Sequence, residues 1–475
     1  MKILSDDTIM AVATPSGKGA LAIIRLSGKK AFAIADAVWK GAALDGCPSH
    51  TVHLGNIVDE RGEILDQAVA TVFRGPNSFT GEDTVEFTLH GSPWIIREVG
   101  NLLLRKGARG AEPGEFSRRA YLNGRMDLAS AEGVADLIAS SSKAAHKLAM
   151  QQTRGSFSKE FNLLRDKLIE LASLLELELD FSEEDVEFAD RTRLIEIVTL
   201  LLLKIDRLTA SYAAGRAIKE GVPVVIAGMP NVGKSTLLNA ILQEEKAIVS
   251  DIPGTTRDII EDTCEIDGVL FRFIDTAGLR ESSDKVENIG IERARQRLNQ
   301  AAIVLWLIDP LAPVGEQLSE MKATLSDLDA GRKIIPVITK AFAPGMTEST
   351  LDATRDYLNA AFKSQESAEE IRNPVSISAG EGQGLEALCD ALKKASTSDF
   401  DPEKELLLTN ARHYGDLLKA SEALRRALGQ MQAGSSADFI AMDIREATAA
   451  LSSLTGSITT PDLLNSIFSH FCIGK

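Results

Sequence analysis

The sequence has few of the residues that cross-link proteins outside the reducing interior of a cell. Its 475 residues include four cysteines, and no two of them are separated by the two residues of a Cys-x-x-Cys motif. The four positions are Cys47, Cys264, Cys389 and Cys472. This spacing argues against a disulfide framework and a zinc knuckle, and it fits a reducing compartment.

Long apolar runs and an N-terminal signal peptide are also lacking. The longest apolar run, near 195–205, contains Glu196 and Lys204, and it is far shorter than the roughly 18 clean residues of a membrane span. Asp6 and Asp7 interrupt the region where a signal peptide has an apolar stretch. We therefore expect a cytoplasmic protein with no membrane partner.

Basic charge is the third shortage. Lysine and arginine number 52 against 68 aspartates and glutamates, so the formal net charge is -16. This excludes a uniformly basic nucleic-acid-binding coat but leaves open RNA binding through one basic face. The hydrophobic share of 44% is ordinary for a globular protein, and the length predicts roughly two to four domains.

Residues 1–120 have the pattern of a mixed α/β domain. A helix is expected around Trp94–Arg105, and turn residues separate the strand-like runs. Those runs are Ala20–Leu26, Thr51–Val58, Ala68–Phe73 and Thr84–Leu89.

Residues 121–219 lack proline and predict long amphipathic helices over Phe161–Phe181 and Arg193–Tyr212. One helical stripe, which we interpret as the core of a bundle, consists of Leu164, Leu168, Leu171, Leu175 and Leu179.

Residues 220–396 alternate between apolar strands and helical stretches, which is typical of a parallel sheet with helices on both faces. The predicted strands are Val222–Ala227, Leu270–Ile274, Ile303–Ile308, Ile334–Ile338 and Val375–Ile377. Residues 397–475 are helical again, from about 404 to 471. We therefore predict an α/β domain inserted into a discontinuous helical domain, which follows the N-terminal α/β domain.

The first inserted strand leads into Gly-Met-Pro-Asn-Val-Gly-Lys-Ser, at residues 228–235, and then into a helix. This is the P-loop pattern GxxxxGK[ST] in its strand–loop–helix context. The backbone N–H groups and the helix N-terminus are expected to hold phosphates, Lys234 to reach the β- and γ-phosphates, and Ser235 to bind Mg²⁺. The nucleotide-contacting residues expected here are Asn231, Val232, Gly233, Lys234, Ser235 and Thr236.

Two further segments follow in the order that a nucleotide switch requires. Thr256, within Gly-Thr-Thr-Arg-Asp at 254–258, is expected to complete the Mg²⁺ sphere. Asp275, which follows a strand, is expected to hold the hydration shell of the Mg²⁺, and Gly278 to offer its N–H to the γ-phosphate. This second segment consists of Asp275, Thr276, Ala277 and Gly278.

These three motifs together resemble the Era/TrmE-like group of translation-factor-like GTPases, and the resemblance implies GTP as the substrate. The group has Asn-Lys-x-Asp after the fourth strand, whereas this chain has Thr-Lys-Ala-Phe at 339–342. Phe342 cannot accept from the guanine N1–H and N2–H as a carboxylate does, so weakened or relaxed base recognition is expected. The loop that resembles the group's guanine O6-contacting SAK loop consists of Ser378, Ala379 and Gly380.

The chain resembles, within that group, the tRNA-modifying GTPase family named MnmE or TrmE. The resemblance implies a K⁺ ion that neutralises charge at the phosphates, as an arginine finger does elsewhere. Its ligands carry over to Asn231, Ser250 and Ile252, with Thr255 close by. The family's water-orienting acid matches Glu287; from the residues alone it reads as an exposed glutamate at the start of a helix.

Both ends of the chain carry the same resemblance. The phrases Asp-Thr-Ile-Met-Ala-Val-Ala-Thr-Pro at 7–15, Pro-Asn-Ser-Phe-Thr-Gly-Glu-Asp at 76–83 and Pro-Gly-Glu-Phe-Ser at 113–117 are typical of the family. So is the final Cys-Ile-Gly-Lys at 472–475, which a prenylation signal does not explain, because Gly474 is not aliphatic. The family's folate-binding positions match Arg25, Glu82, Arg125 and Lys475.

The resemblance implies a homodimer that hydrolyses GTP and modifies the wobble uridine of certain tRNAs at C5. A flavoprotein of the MnmG type is the implied partner, in a heterotetramer with FAD, and 5-formyl- or methylene-tetrahydrofolate is the implied carbon donor for a carboxymethylaminomethyl-type group. Cys472 is a candidate nucleophile or acid in that chemistry. The alternative is an Era/Der-like regulatory GTPase of ribosome assembly without modification chemistry.

Overall fold

The computed structural model describes residues 7–180, 191–244, 261–274, 298–326, 332–362, 374–396 and 405–474. The chain divides into two compact units. The first consists of Met1–Ala139, Ala149–Asp206 and Gly415–Lys475, and the second of Ser140–Leu148 and Arg207–Tyr414. Most of the second unit therefore lies, in sequence, between two segments of the first, which is the insertion that the sequence predicts.

The strands form two separate sheets. In chain order they are β1 (Ile9–Val12), β2 (Leu21–Ser27), β3 (Trp39–Lys40), β4 (Thr51–Val58), β5 (Ile64–Phe73), β6 (Thr84–His90), β7 (Arg109–Gly110), β8 (Val222–Ala227), β9 (Glu261–Ile266), β10 (Val269–Ile274), β11 (Ile303–Ile308), β12 (Lys333–Ile338) and β13 (Val375–Ser376).

Helices make up most of the remaining described chain. In chain order they are α1 (Ala31–Asp36), α2 (Pro93–Arg105), α3 (Glu115–Leu122), α4 (Leu128–Ala139), α5 (Lys143–Thr153), α6 (Ser156–Asp180), α7 (Arg191–Ala210), α8 (Tyr212–Glu220), α9 (Lys234–Glu244), α10 (Val314–Ser326), α11 (Glu348–Phe362), α12 (Leu385–Ser396), α13 (Ala411–Gln432), α14 (Ala437–Thr455) and α15 (Pro461–Ser469). No helix in the described ranges is long and apolar enough to span a membrane.

The first sheet has seven strands in the order β3-β4-β5-β6-β2-β1-β7. All neighbours are antiparallel except β1 and β7, which are parallel. Side chains alternate across it, because successive residues of a strand point to opposite faces. One face, with Phe87 fully buried, packs against α1 and α2, whereas Val52 and Leu54 of β4 are exposed.

The helical part of the first unit centres on α6 and α14, which pack along each other. The predicted leucine stripe is buried where its side chains are described: Leu164, Leu168, Leu171 and Leu175 are each at most 1% exposed. On α14, Ile444 and Leu454 are fully buried. Burying one such stripe stabilises a helix far more than its intrinsic propensity does.

The second sheet has six strands in the order β13-β12-β11-β8-β10-β9. Every neighbouring pair is parallel except β9 and β10, which are antiparallel. The side chains of β11 alternate between two cores. One core, shared with α9 and α12, contains Ile303, Leu305 and Leu307. The other, shared with α10 and α11, contains Val304, Trp306 and Ile308. Helices therefore cover both faces, as the alternating pattern predicts.

The predicted helix over residues 404–471 is wrong at its start. Residues 405–410 are not helical, and α13 begins only at Ala411. The backbone N–H of Leu408 donates to the hydroxyl of Ser211 at 3.0 Å, and the Leu408 carbonyl lies against Gly215 of α8. The side chain of Asn410 then accepts from the N–H of Arg412 at 2.8 Å, close to the start of α13.

Candidate functional site

Two glycines shape the loop between β8 and α9. Gly228 has φ +138, and a Cβ there would lie 2.6 Å from the carbonyl oxygen of Leu307. Gly233 has φ +104. Only glycine adopts these conformations without strain. The loop therefore turns tightly at the carboxyl end of a central parallel strand, which is where sheets of this kind bind ligands.

Lys234 is the first residue of α9 and points back into this loop. Its Nζ donates to the carbonyl oxygens of Gly228 at 2.8 Å and Met229 at 2.9 Å. Burial lowers the pKa of the Lys234 ammonium, and Glu320 offsets this only in part. An anion here would meet both the ammonium and the partial positive charge of the helix N-terminus, so the site suits a phosphate.

Of the remaining residues, one is buried and anchors the loop to the sheet, and three are exposed and carry side-chain oxygens. Val232 is 2% exposed and packs in the sheet core. Asn231 is exposed and adopts the left-handed conformation at φ +61, while Ser235 and Thr236 are exposed at the start of α9. Their side-chain oxygens suit hard cations such as Mg²⁺ and K⁺. No cluster of three or more His, Cys, Asp or Glu side chains suits a metal ion within the described ranges.

Two more loops leave the same edge of the sheet, after β12 and β13. The N–H of Ala341 donates to the carbonyl of Ile377 at 2.9 Å, which joins the two loops. Ser378 and Gln383 exchange backbone hydrogen bonds of 2.9 and 3.2 Å, which close the second loop. Ala379 and Gly380 lie at the tip of that loop, and Phe342 is 47% exposed.

The first of these loops is held from inside by its own polar side chains. Thr339 is 5% exposed, and its hydroxyl donates to the carbonyl of Ile308 at 3.2 Å. Lys340, at φ +54, places its Nζ 2.6 Å from Oδ2 of Asp309. Asp309 follows the fully buried strand β11 and is not among the residues predicted for the site. An acid directly after an apolar strand was the feature that marked Asp275, and it marks Asp309 as well.

Several predicted site residues lie outside the described part of the chain. They are Ser250, Ile252, Thr255, Thr256, Asp275, Thr276, Ala277, Gly278, Glu287 and Lys475.

A second candidate site lies in the first unit, where the predicted folate positions come together. Arg25 and Ser27 share one face of β2, and the Ser27 hydroxyl donates to Glu82 at 2.7 Å. The Arg25 guanidinium donates to Glu86 at 2.6 Å and lies 5.5 Å from the rings of both Phe79 and Phe116.

The third described position, Arg125, belongs to the same region. A Cβ on Gly81 would lie 3.2 Å from Cγ of Arg125, and the Asn123 side chain donates to the Thr80 carbonyl at 2.7 Å. Arg25, Glu82 and Arg125 therefore frame one polar region with cations and a carboxylate.

The residues before the C-terminus reach this region. The carbonyl of Gly474 accepts from Arg25 at 3.4 Å, and a Cβ on Gly474 would lie 2.6 Å from the carbonyl oxygen of Val12. The N–H of Gly114 donates to the carbonyl of Cys472 at 3.4 Å, while the Cys472 residue itself is exposed. The thiol that was proposed for chemistry is thus accessible at the border of the polar region.

A buried arginine that is not among the predicted site residues supports Glu82. Arg119 is 4% exposed and donates to Asp7 at 2.7 Å, Glu115 at 3.0 Å and Glu82 at 3.2 Å. Burial alone would lower the pKa of Arg119, but the charge of Glu82 and the bonds to Asp7 and Glu115 outweigh it, and the pKa is raised. Arg119 therefore stays charged and holds the Glu82 carboxylate in place.

Comparisons with known proteins agree along the whole length of the chain. The family models "MnmE helical domain" and "GTP-binding protein TrmE N-terminus" match residues 128–472 and 8–125. The tRNA modification GTPase MnmE of Cytophaga hutchinsonii is 48% identical over 469 residues, which cover 99% of this chain and 98% of the relative. The MnmE of Flavobacterium johnsoniae is 45% identical over 479 residues, which cover 100% of both chains.

Among solved structures, the G domain of the T. maritima FeoB iron transporter is 27% identical. The likeness covers 37% of this chain and 99% of that domain, with a TM-score of 0.26. The full-length relatives and the two family models together show that this chain belongs to the MnmE/TrmE family.

Proposed function

We propose that this chain is a K⁺-activated, Mg²⁺-dependent GTP hydrolase that acts in tRNA modification in the cytoplasm. The observation that carries the proposal is the loop after β8. This loop lies at the edge where β8, β11, β12 and β13 end, and its glycine conformations, the inward ammonium of Lys234 and the start of α9 suit a phosphate. Membership of a family whose curated relatives are named tRNA modification GTPases supports the assignment.

The catalytic roles follow from charge. Lys234 stabilises the β- and γ-phosphates, and the hydroxyls of Ser235 and Thr256 serve as Mg²⁺ ligands. Glu287 orients the attacking water. Asn231, together with oxygens of the segment that contains Ser250, Ile252 and Thr255, would hold a K⁺ ion, which would supply positive charge to stabilise the transition state.

The second site is proposed to bind the carbon donor, 5-formyl- or methylene-tetrahydrofolate. Arg25, Arg125 and Lys475 suit the glutamyl carboxylates of a folate, and Glu82 suits the N–H edge of its pterin ring. Tetrahydrofolate supplies the one-carbon unit when it is bound. Cys472, exposed beside this region, is the candidate nucleophile or acid.

The proposed partners are a second copy of the chain, a flavoprotein of the MnmG type and the tRNA itself. The product is a carboxymethylaminomethyl-type group at C5 of the wobble uridine. The proposed domains are 1–120 for folate binding and dimerisation, 121–219 and 397–475 for the helical domain, and 220–396 for the GTPase domain.

The first test measures GTP hydrolysis by the full chain with Mg²⁺ in either KCl or NaCl. We expect a rate at least about tenfold higher in KCl, because one correctly placed charge at the phosphates contributes that much or more. Asn231→Gly should remove the difference, since glycine tolerates the φ of +61 and only the carboxamide is lost. Equal rates of the unaltered chain in the two salts would exclude the cation site.

The second test separates modification from the ribosome-assembly alternative. Wobble-uridine nucleosides are analysed in cells that lack this protein and in cells complemented with the unaltered chain or with Lys234→Ala. Loss of the modified nucleoside that only the unaltered chain restores supports the proposal. Unaltered nucleosides in the deletion strain would exclude the modification role while leaving GTP hydrolysis intact.

A further inference from the structure

The two loops that follow β12 and β13 differ in the hydrogen-bond donors and acceptors that they offer at the edge of the second sheet. The loops after β12 and β13 extend this edge, and a purine base attached to a nucleotide in the loop after β8 would meet them. A base is selected by the donors and acceptors that face its edge, so the groups left available by these two loops set the selectivity.

The side chains of the loop after β12 offer no acceptor to a base. The Thr339 hydroxyl is buried and donates to Ile308, and the Lys340 ammonium is held by Asp309. Phe342 is 47% exposed and carries an apolar ring. Donors on a base that face this loop therefore find no accessible side-chain acceptor on it.

The loop after β13 offers donors instead. Ala379 and Gly380 lie at its tip, and their backbone N–H groups have no hydrogen-bond acceptor within the described part of the chain. Such N–H groups bind a carbonyl oxygen and reject an amino group. Guanine and hypoxanthine both carry a carbonyl oxygen at C6, whereas adenine carries an amino group there.

We propose that this site recognises 6-oxopurine nucleoside triphosphates as a class and does not read the amino group at C2 of the base. Phe342 is the specificity-determining residue, because an apolar ring stands where selection at N1 and C2 requires a carboxylate. The inference deepens the proposed function and rests on it, since it assumes that the loop after β8 binds a nucleoside triphosphate.

The test is a set of dissociation constants for GTP, ITP and ATP, measured on the full chain with Mg²⁺ and K⁺. ITP differs from GTP only by the missing amino group at C2. We expect GTP and ITP to agree within about threefold, because no bond to the protein distinguishes them, and ATP to bind at least about tenfold more weakly.

Substitution of Phe342 makes the test sharper. Phe342→Asp should favour GTP over ITP by at least about tenfold more than the unaltered chain does, since a carboxylate accepts from both N1–H and the 2-amino group. Phe342→Asn is the matched control, because asparagine has the size of aspartate but no charge. It should give a smaller gain in the preference for GTP over ITP.

Three outcomes would overturn the inference. The first is a preference of the unaltered chain for GTP over ITP above about thirtyfold. The second is an unchanged ratio in Phe342→Asp, and the third is ATP binding as tightly as GTP. Failure of all three nucleotides to bind would instead overturn the proposed function, so the two failures are distinguishable.

Discussion

Replacement of Arg119 by methionine tests the buried ion pairs of the first unit. Methionine has a similar length and no charge, so Arg119→Met removes the hydrogen bonds to Asp7, Glu115 and Glu82 while keeping most of the volume. Asp7 and Glu115 then keep Arg109 as a partner, and Glu82 keeps the Ser27 hydroxyl.

The expected cost follows from the burial of Arg119. Its side chain is 4% exposed, and the side chains of Glu115 and Glu82 are 10% and 19% exposed, so the remaining carboxylates stay largely out of water. Removing one partner of a buried ion pair costs about 3–5 kcal/mol in the free energy of unfolding. Arg109→Met should cost about 1 kcal/mol or less, because that side chain is 42% exposed and its pairs are screened by solvent.

The effect should depend on pH with a defined sign. Burial alone would raise the pKa of Glu115, but its bonds to Arg109, to the Glu112 backbone and to Arg119 outweigh burial, and the pKa is lowered. The stabilisation from such a group is complete above the unfolded pKa of about 4.3 and is lost as the pH falls through the folded value. Without Arg119, we expect the pKa of Glu115 to be lowered less. The difference between the two proteins should therefore shrink as the pH falls from about 7 to about 3.

The measurement is urea unfolding combined with hydrogen exchange of peptides that cover β1 and β2, which reports on this unit alone. Arg118→Met, one position earlier on α3, is the matched control. Its guanidinium forms no ion pair within the described residues, so we expect a change below about 0.5 kcal/mol. A loss below about 1 kcal/mol in Arg119→Met, or the same loss at both pH values, would refute the reasoning.

Three further substitutions, the first with a matched control, test other parts of the molecule. Leu171→Ala should cost about 2–5 kcal/mol in urea unfolding because the side chain is 1% exposed, whereas Leu163→Ala, at 47%, should cost below about 0.5 kcal/mol; equal losses would contradict the assigned core. Gly384→Ala should weaken GTP binding by about tenfold or more, because φ is +80 and a Cβ would overlap a carbonyl of β13; an unchanged dissociation constant would count against the loop assignment. Gly474→Ala should speed hydrogen exchange in the C-terminal residues, since φ is +96 and a Cβ would overlap the Val12 carbonyl; unchanged exchange would exclude the described docking.

The second sheet could be predicted largely from the sequence because its central strands are apolar on both faces. β8 and β11 begin and end at the predicted residues. β9 was not predicted, because it lacks such an apolar pattern. Its sequence, Glu-Asp-Thr-Cys-Glu-Ile, is mostly polar, and it lies at the edge of the sheet, held by the antiparallel ladder to β10. An edge strand needs little apolar surface, so hydrophobic pattern alone does not reveal it.

The two sites differ in how much of them a sequence can predict. The proposed phosphate-binding loop is continuous in the chain, so spacing alone is enough to predict a role for Lys234 and its neighbours. Among the carboxylates around Arg119, Glu115 lies four residues earlier on the same helix, but Asp7 and Glu82 come from distant positions that no local pattern connects. Arg119 therefore resembles a surface arginine until the fold is known. The irregular segment at 405–410 could not be predicted for the same reason. Its hydrogen-bond partner, Ser211, lies 197 residues from Leu408.

The contact between Arg25 and Gly474 joins residues that are 449 positions apart. Translation proceeds from the N-terminus at about 5–20 residues per second, so the ribosome adds Gly474 roughly 20–90 s after Arg25. Arg25 on β2 is therefore synthesised long before Gly474, the residue whose carbonyl it contacts. A nascent chain that terminates early would leave Arg25 without that carbonyl, and premature products would lack a finished polar region at the N-terminal sheet.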